Sequence, residues 1–125
     1  RRITRIEVVR IRPQASRDED IGSRIEDPWR SFDCPGSPEG CVVRFEDPEF
    51  AGAGRDAVYY VRAIEEPKPA INAGNLRCER DAAGECVKVD PCWGDYRTDP
   101  GDDCLAPHEP RAWSSPIFVD HAQAG

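Results

Sequence analysis

Six cysteines, Cys34, Cys41, Cys78, Cys86, Cys92 and Cys104, stand among glycine, proline and aspartate rather than in apolar runs. Thiols that serve only as packing prefer apolar strands. An even number in turn-rich surroundings reads instead as a disulfide framework, formed in an oxidising compartment. The expected location is therefore extracytoplasmic: periplasmic, secreted or cell-surface. Cys34 and Cys41 bracket Pro35-Gly36-Ser37-Pro38-Glu39-Gly40, a loop short and bent enough to bring two Cα atoms within bridging reach. The other four allow three pairings. Cys78–Cys86 with Cys92–Cys104 is preferred, because each closes a local loop. A four-residue turn at Asp81 to Gly84 counts against the first, since it sets Arg80 opposite Glu85 and Glu79 opposite Cys86, with Cys78 out of line. Structural zinc sites use Cys-x2–4-Cys knuckles, and every gap here is longer, which disfavours zinc.

A chain of 125 residues with twelve prolines and ten glycines is one domain's worth of protein and cannot be mostly helical. Ile3, Ile6, Val8, Val9 and Ile11 mark a first strand whose apolar parity changes between Val8 and Val9. That pattern fits a bulge or burial on both faces. Pro13 to Gly40 is polar, broken at Asp27-Pro28 and Cys34-Pro35-Gly36, and reads as a long connection in which Trp29 and Phe32 dock onto the core. Cys41-Val42-Val43-Arg44-Phe45 alternates and predicts a second strand, followed by a turn at Gly52 to Asp56. Ala57 to Ile64 is β-branched and aromatic throughout, a central strand. Pro67 and Pro69 stop it. Leu76 to Val89 predicts a hairpin, Asp90 to Pro107 a loop, and Trp113 to Val119 a last strand whose Pro116 belongs at an edge. The expected fold is all-β: a small sandwich, immunoglobulin-like or partial, with long disulfide-stapled loops. Residues 1–125 form a single β-rich domain on this reading, 65–110 a loop and hairpin insertion rich in cysteine, and 121–125 a frayed end.

Seventeen basic against twenty-four acidic residues give a net charge of −7, which disfavours nucleic acid and anionic lipid as partners. No apolar run is long enough to cross a membrane as a helix. Asp90, Asp95, Asp99, Asp102 and Asp103 cluster, and Asp95, Asp99, Asp102 and Asp103 are weak calcium candidates. They lack the EF-hand order of ligands, so a solvated acidic loop is the favoured reading. Ser114 and Ser115 sit in Trp-Ser-Ser-Pro, not in a nucleophile elbow, and His108 and His121 have no companion at metal or base spacing. Acidic pairs such as Glu46-Asp47 and Glu65-Glu66 read as solvated surface. Trp29, Trp93 and Trp113 read as core or loop anchors before a sugar-binding face. No catalytic residue, metal or cofactor is assigned to these residues. Beginning Arg1-Arg2-Ile3 and lacking methionine, the chain reads as an excised piece of a longer protein.

Two stretches, Ala57-Val58-Tyr59-Tyr60-Val61-Arg62-Ala63-Ile64 with Glu65-Glu66-Pro67 and Arg111-Ala112-Trp113-Ser114-Ser115-Pro116-Ile117-Phe118-Val119, together resemble the C-terminal end of a bacterial family, domain of unknown function 3604. They are also similar to the tails of some phosphoesterases of the polymerase-and-histidinol-phosphatase (PHP) type. Leu76 to Pro107 looks like the cysteine-bearing insertion of one branch of that family. The resemblance covers about half the chain directly. It places the metal-binding His-x-His upstream, with no ligand matched in this sequence. It implies an exported, metal-dependent hydrolase-like parent, with this segment as a non-catalytic β module capping an upstream domain. A physical reading of the tail fits that role: the Arg62 strand and the Trp113 strand are expected to pair, with Trp113 covering one end of the core. The alternative is an independent carbohydrate- or peptide-binding module.

Overall fold

The structure is a computed structural model and describes residues 1–73, 77–92 and 96–122. Its elements in chain order are β1 (Ile3–Ile11), β2 (Ile25–Asp33), α1 (Phe50–Ala53), β3 (Ala57–Glu65), β4 (Lys68–Ile71), β5 (Arg77–Arg80), β6 (Cys86–Asp90), β7 (Leu105–His108), β8 (Arg111–Trp113) and β9 (Ile117–Val119). The fold is all-β, a small partial sandwich with stapled loops, and the chain divides into two compact units. The first is Arg1–Glu66 with Arg111–Gly125; the second is Pro67–Pro110, nearly the stretch read as a cysteine-rich insertion.

The first unit is built on a five-stranded antiparallel sheet ordered β2-β1-β3-β8, with β9 also pairing β3. β1 has strands on both sides, and Glu7, Val8, Val9 and Arg10 are all buried. The parity change at Val8-Val9 thus reflects burial on both faces. β3 is central, flanked by β1 on one side and by β8 and β9 on the other. Between those two short strands, Ser114 keeps the ladder closed: its N–H donates to the Val61 carbonyl (3.0 Å) and its Oγ accepts from the Val61 N–H (3.1 Å). Arg62 does face Trp113 across the strands, but Trp113 is 60 % exposed and covers no part of the core.

The second strand of the sheet is not the one the alternation predicts. Ile25–Asp33, read as connection, is β2, whereas Cys41 to Phe45 is extended chain outside any strand. The breaker Asp27-Pro28 lies where the β1–β2 register shifts: Val8 faces Arg30 and Arg10 faces Glu26, so Asp27, Pro28 and Trp29 together oppose Val9. A proline is tolerated at such a bulge on an edge strand. Trp29 and Phe32 reach the core from this strand, as expected, and not from a loop.

Directly opposed residues share a sheet face. One face carries Val8, Arg10, Tyr59, Val61 and Val119, and Phe45 and Phe50 from the loop after Cys41 pack over it. The Cys34–Cys41 disulfide (Cα–Cα 5.6 Å) starts that loop on its path, with Gly36 and Gly40 supplying the positive φ values of 70° and 93° its turns need. The covering layer is therefore a stapled loop, not a second sheet.

The second unit holds two ribbons, β4 with β7 and β5 with β6. Pro67 and Pro69 do follow the end of β3, but Pro69 then faces Pro107 in the first ribbon, where Asp90 to Pro107 was expected to be loop. In a two-stranded ribbon each strand is an edge, so a missing N–H can point outward. In the second ribbon Cys86 faces Arg80, not Glu79. Asp81 enlarges the turn: its carboxylate accepts from the N–H groups of Ala83 (2.9 Å) and Glu85 (3.0 Å). Cys78 and Arg80 share a face, so Cys86 stands diagonal to Cys78, and with the register shift their Cα atoms are 5.7 Å apart.

Candidate functional site

Among the described residues, polar or apolar groups converge at a buried charge centre, on a sheet face and around an open basin. The centre grows from Arg10 on β1, whose inward parity places a charged side chain among aromatics at 2 % exposure. Glu26 of β2 accepts from Nε (2.6 Å) and Nη2 (2.9 Å), Asp47 accepts from Nη1 at 2.9 Å on each oxygen, and Glu49 accepts from Nη2 (2.7 Å). These bonds engage all three guanidinium nitrogens. The Trp29 ring lies under it, 4.4 Å from centroid to guanidinium carbon. Tyr59 donates its hydroxyl to Asp47 (2.6 Å), and the Glu49 N–H donates to the same carboxylate (2.9 Å). Burial works to raise the Asp47 pKa, but the Tyr59 and Arg10 bonds outweigh it and hold the carboxyl below its usual range. Burial and then the Asp47 carboxylate push the Tyr59 phenol up to about 12. With all three nitrogens of Arg10 and both oxygens of Asp47 engaged within the centre, it fastens the loop to the sheet. Asp47 is thus not the solvated half of an acidic pair.

The opposite sheet face carries a cross-strand row, Ile25, Ile11, Val58 and Phe118, each directly opposed to the next. Its ends are exposed, Ile25 by 43 % and Phe118 by 72 %, and Trp113 stands exposed on the same face. Beside the row, Arg62 reaches from β3 across β1, bonding Glu7 (2.7 Å) and Asp27 of β2.

The basin, of about 900 Å3, opens beside β2 and is lined by Arg30, Val43, Arg44, Phe45, Glu46 and Pro48. Phe45 stacks on Phe32 with centroids 6.0 Å apart, and the Arg30 guanidinium is held 4.4 Å from the Trp29 centroid.

The cysteines pair as Cys34–Cys41, Cys78–Cys86 and Cys92–Cys104. Three disulfides fit an oxidising, extracytoplasmic environment. Of the calcium candidates, Asp95 lies outside the described residues, as does Trp93. The other three serve the local backbone: Asp99 accepts from the Gly101 N–H (2.7 Å), Asp102 from Cys104 (2.7 Å) and Asp103 from Leu105 (2.9 Å). Asp102 also pairs with Arg77, whose guanidinium holds its carboxyl below the usual range. Cys92, Asp102 and Cys104 lie within 4.8 Å of one another, but both sulfurs are bound in a disulfide and offer no thiolate. His108 sits opposite Lys68 in the β4–β7 ribbon. His121 donates its N–H to Asp56 (2.8 Å) and packs its ring 5.9 Å from Phe50. Ser114 is committed to β3.

Arg10, with its carboxylates, was missed by sequence reading. The available signal was a charged residue at the same parity as Val8 in an otherwise β-branched strand. No helix among the described residues is long and apolar enough to cross a membrane. No known family model, curated protein or solved structure matches the chain.

Proposed function

We propose that this chain is the non-catalytic C-terminal β module of an exported, metal-dependent hydrolase-like protein, and that it docks on an upstream domain of the same chain and stabilises it. The resemblance of Ala57 to Pro67 and Arg111 to Val119 to the tails of domain of unknown function 3604 and PHP-type proteins supports the hydrolase-like parent. The observation that carries the docking role is the apolar row Ile25–Ile11–Val58–Phe118 with Trp113 beside it, exposed at both ends on the face the stapled loop does not cover. Exposed apolar surface of this kind is what an intramolecular domain interface uses. Metal ligands and the reacting groups belong to the upstream domain on this reading, and the whole protein works in the periplasm, at the cell surface or after secretion.

The test is made in the longer protein. Phe118→Asp and Ile25→Asp place a charge at either end of the row and are expected to lower the melting temperature of the upstream domain, as does deletion of the module. An upstream domain that melts unchanged after both the substitutions and the deletion refutes the docking role. An upstream coding region with no His-x-His following a strand removes the hydrolase.

A further inference from the structure

The segment after Cys41 runs from the Cys34–Cys41 disulfide to the aromatic cover of the core. Residues 41–46 are extended, with Val43 and Phe45 turned inward and Val42, Arg44 and Glu46 exposed, Val42 by 80 %. Among the described residues, no backbone N–H or C=O of residues 41–46 takes part in a hydrogen bond. Backbone groups are obligatory hydrogen-bonding groups. A β-prone stretch that exposes them unpaired is a template for one more strand.

The side chains around that template are selective. Arg30 and Arg44 line the same basin, and among the described residues neither is paired with a carboxylate. Arg1, Arg2, Arg17, Arg80 and Arg111 likewise have no carboxylate partner among the described residues, so what sets Arg30 and Arg44 apart is that both line one basin. Arg30 is moreover held against Trp29, which fixes the guanidinium plane without using its N–H groups. A preorganised guanidinium with free donors is a bidentate carboxylate receptor. Phe45 and Val43 supply apolar contact on the basin floor.

We propose that residues 42–46 form a strand-accepting edge that binds an extended peptide with acidic side chains alternating with apolar ones. The peptide backbone pairs with the open N–H and C=O groups, and its carboxylates meet Arg30 and Arg44. The site is made by β2 and the stapled loop, not by the row of the docking face, so it stands or falls independently of the capping role.

The test uses the full chain and a fluorescently labelled peptide, acetyl-Val-Asp-Val-Asp-Val-Asp-amide, with polarisation and Trp29 emission as readouts. Three controls accompany it: the lysine-for-aspartate peptide, a peptide N-methylated at alternate residues, and free sulfate and aspartate as competitors. The acidic peptide is expected to bind, and Arg44→Glu to weaken it by about tenfold while favouring the lysine peptide. N-methylation is expected to abolish binding, and added salt to weaken it. A reversal of charge preference in the variant shows that its fold is intact. The proposal is overturned by absence of binding, by equal binding of acidic and basic peptides, or by indifference to N-methylation, which would mark a simple anion site. Displacement by sulfate at the same concentration as by unlabelled peptide overturns it as well. Concentration-dependent dimerisation that Arg44→Glu abolishes would assign the edge to a second copy instead.

Discussion

Replacing Arg10 by methionine would leave Glu26, Asp47 and Glu49 converging on one point with no cation between them. Asp47 is the critical member, because its side chain is only 8 % exposed, while Glu26 and Glu49 reach solvent and are screened. Removing one partner of a buried pair leaves an uncompensated charge, so Arg10→Met is expected to cost about 3–5 kcal/mol. Urea denaturation of variant and parent measures it. Asp47→Asn should cost less, because Arg10 keeps two carboxylates and Tyr59 keeps an oxygen to donate to. If the two substitutions proved equally mild, the centre would not be what holds the loop down. None of this was visible from composition, since an Arg and three scattered acids look alike whether they lie in solvent or in the core. Only the pairing of Arg10 with Tyr59 across β1 and β3 and with Glu26 across β1 and β2 brings them together.

At the scale of elements, what was legible followed local chemistry. β1 and β3 are runs of β-branched and aromatic residues, and such runs need nothing distant to declare themselves. β2 was illegible, because Asp27-Pro28 reads as a breaker unless one knows that the neighbouring strand leaves room for a bulge at Val9. The opposite error befell Cys41 to Phe45. Alternation reports that one side of an extended chain is buried, not that its edges are paired, and here Phe45 packs partly buried against Trp29 and Phe32 while the backbone stays open. The connection from β1 to β2 offers a prediction of its own. Glu19 accepts from the Ala15 N–H (2.9 Å) and pairs with Arg55 (2.8 Å), which follows α1. The Arg55 bond, then the Ala15 N–H, lowers its pKa from an ordinary 4.5 to about 2. A carboxylate with a depressed folded pKa adds stability above its unfolded pKa and loses it as pH falls through the folded one. Amide exchange in residues 13–20 should therefore accelerate as pH falls from about 4.5 towards about 2, beyond the intrinsic pH effect. Glu19→Gln should show the fast exchange already at neutral pH, and unchanged protection in that variant would contradict the tether.

For the molecule as a whole, the setting of the cysteines pointed to an oxidising compartment and the strand patterning to a β class, and the chain divides into two units close to the bounds of the stretch read as an insertion, 65–110. The path of the chain makes that division testable. β3 ends at Glu65 and β8 begins at Arg111, and the two strands are antiparallel neighbours with Ile64 opposite Arg111. The Glu66 N–H is already fastened to the Arg2 carbonyl (3.0 Å), so the exit from β3 is fixed by the first unit itself. Residues Pro67–Pro110 therefore leave and rejoin the sheet at positions that a short hairpin turn would span. Replacing them with a turn such as Gly-Asn-Gly-Lys shortens the loop the sheet must close, and closure entropy changes only slowly with length, by about 0.6 kcal/mol per doubling. The core of Val8, Ala57 and Tyr59 with its aromatic cover lies wholly in the retained residues, as does the Cys34–Cys41 staple. The shortened protein is thus expected to unfold in one cooperative transition, with the tryptophan emission of a folded sheet and the Cys34–Cys41 bridge intact. Val8, Val9 and Ile64 are fully buried. A shortened chain that exposes them, seen as binding of a hydrophobic dye and a broad, uncooperative melt, would show that the first unit depends on the second for its fold.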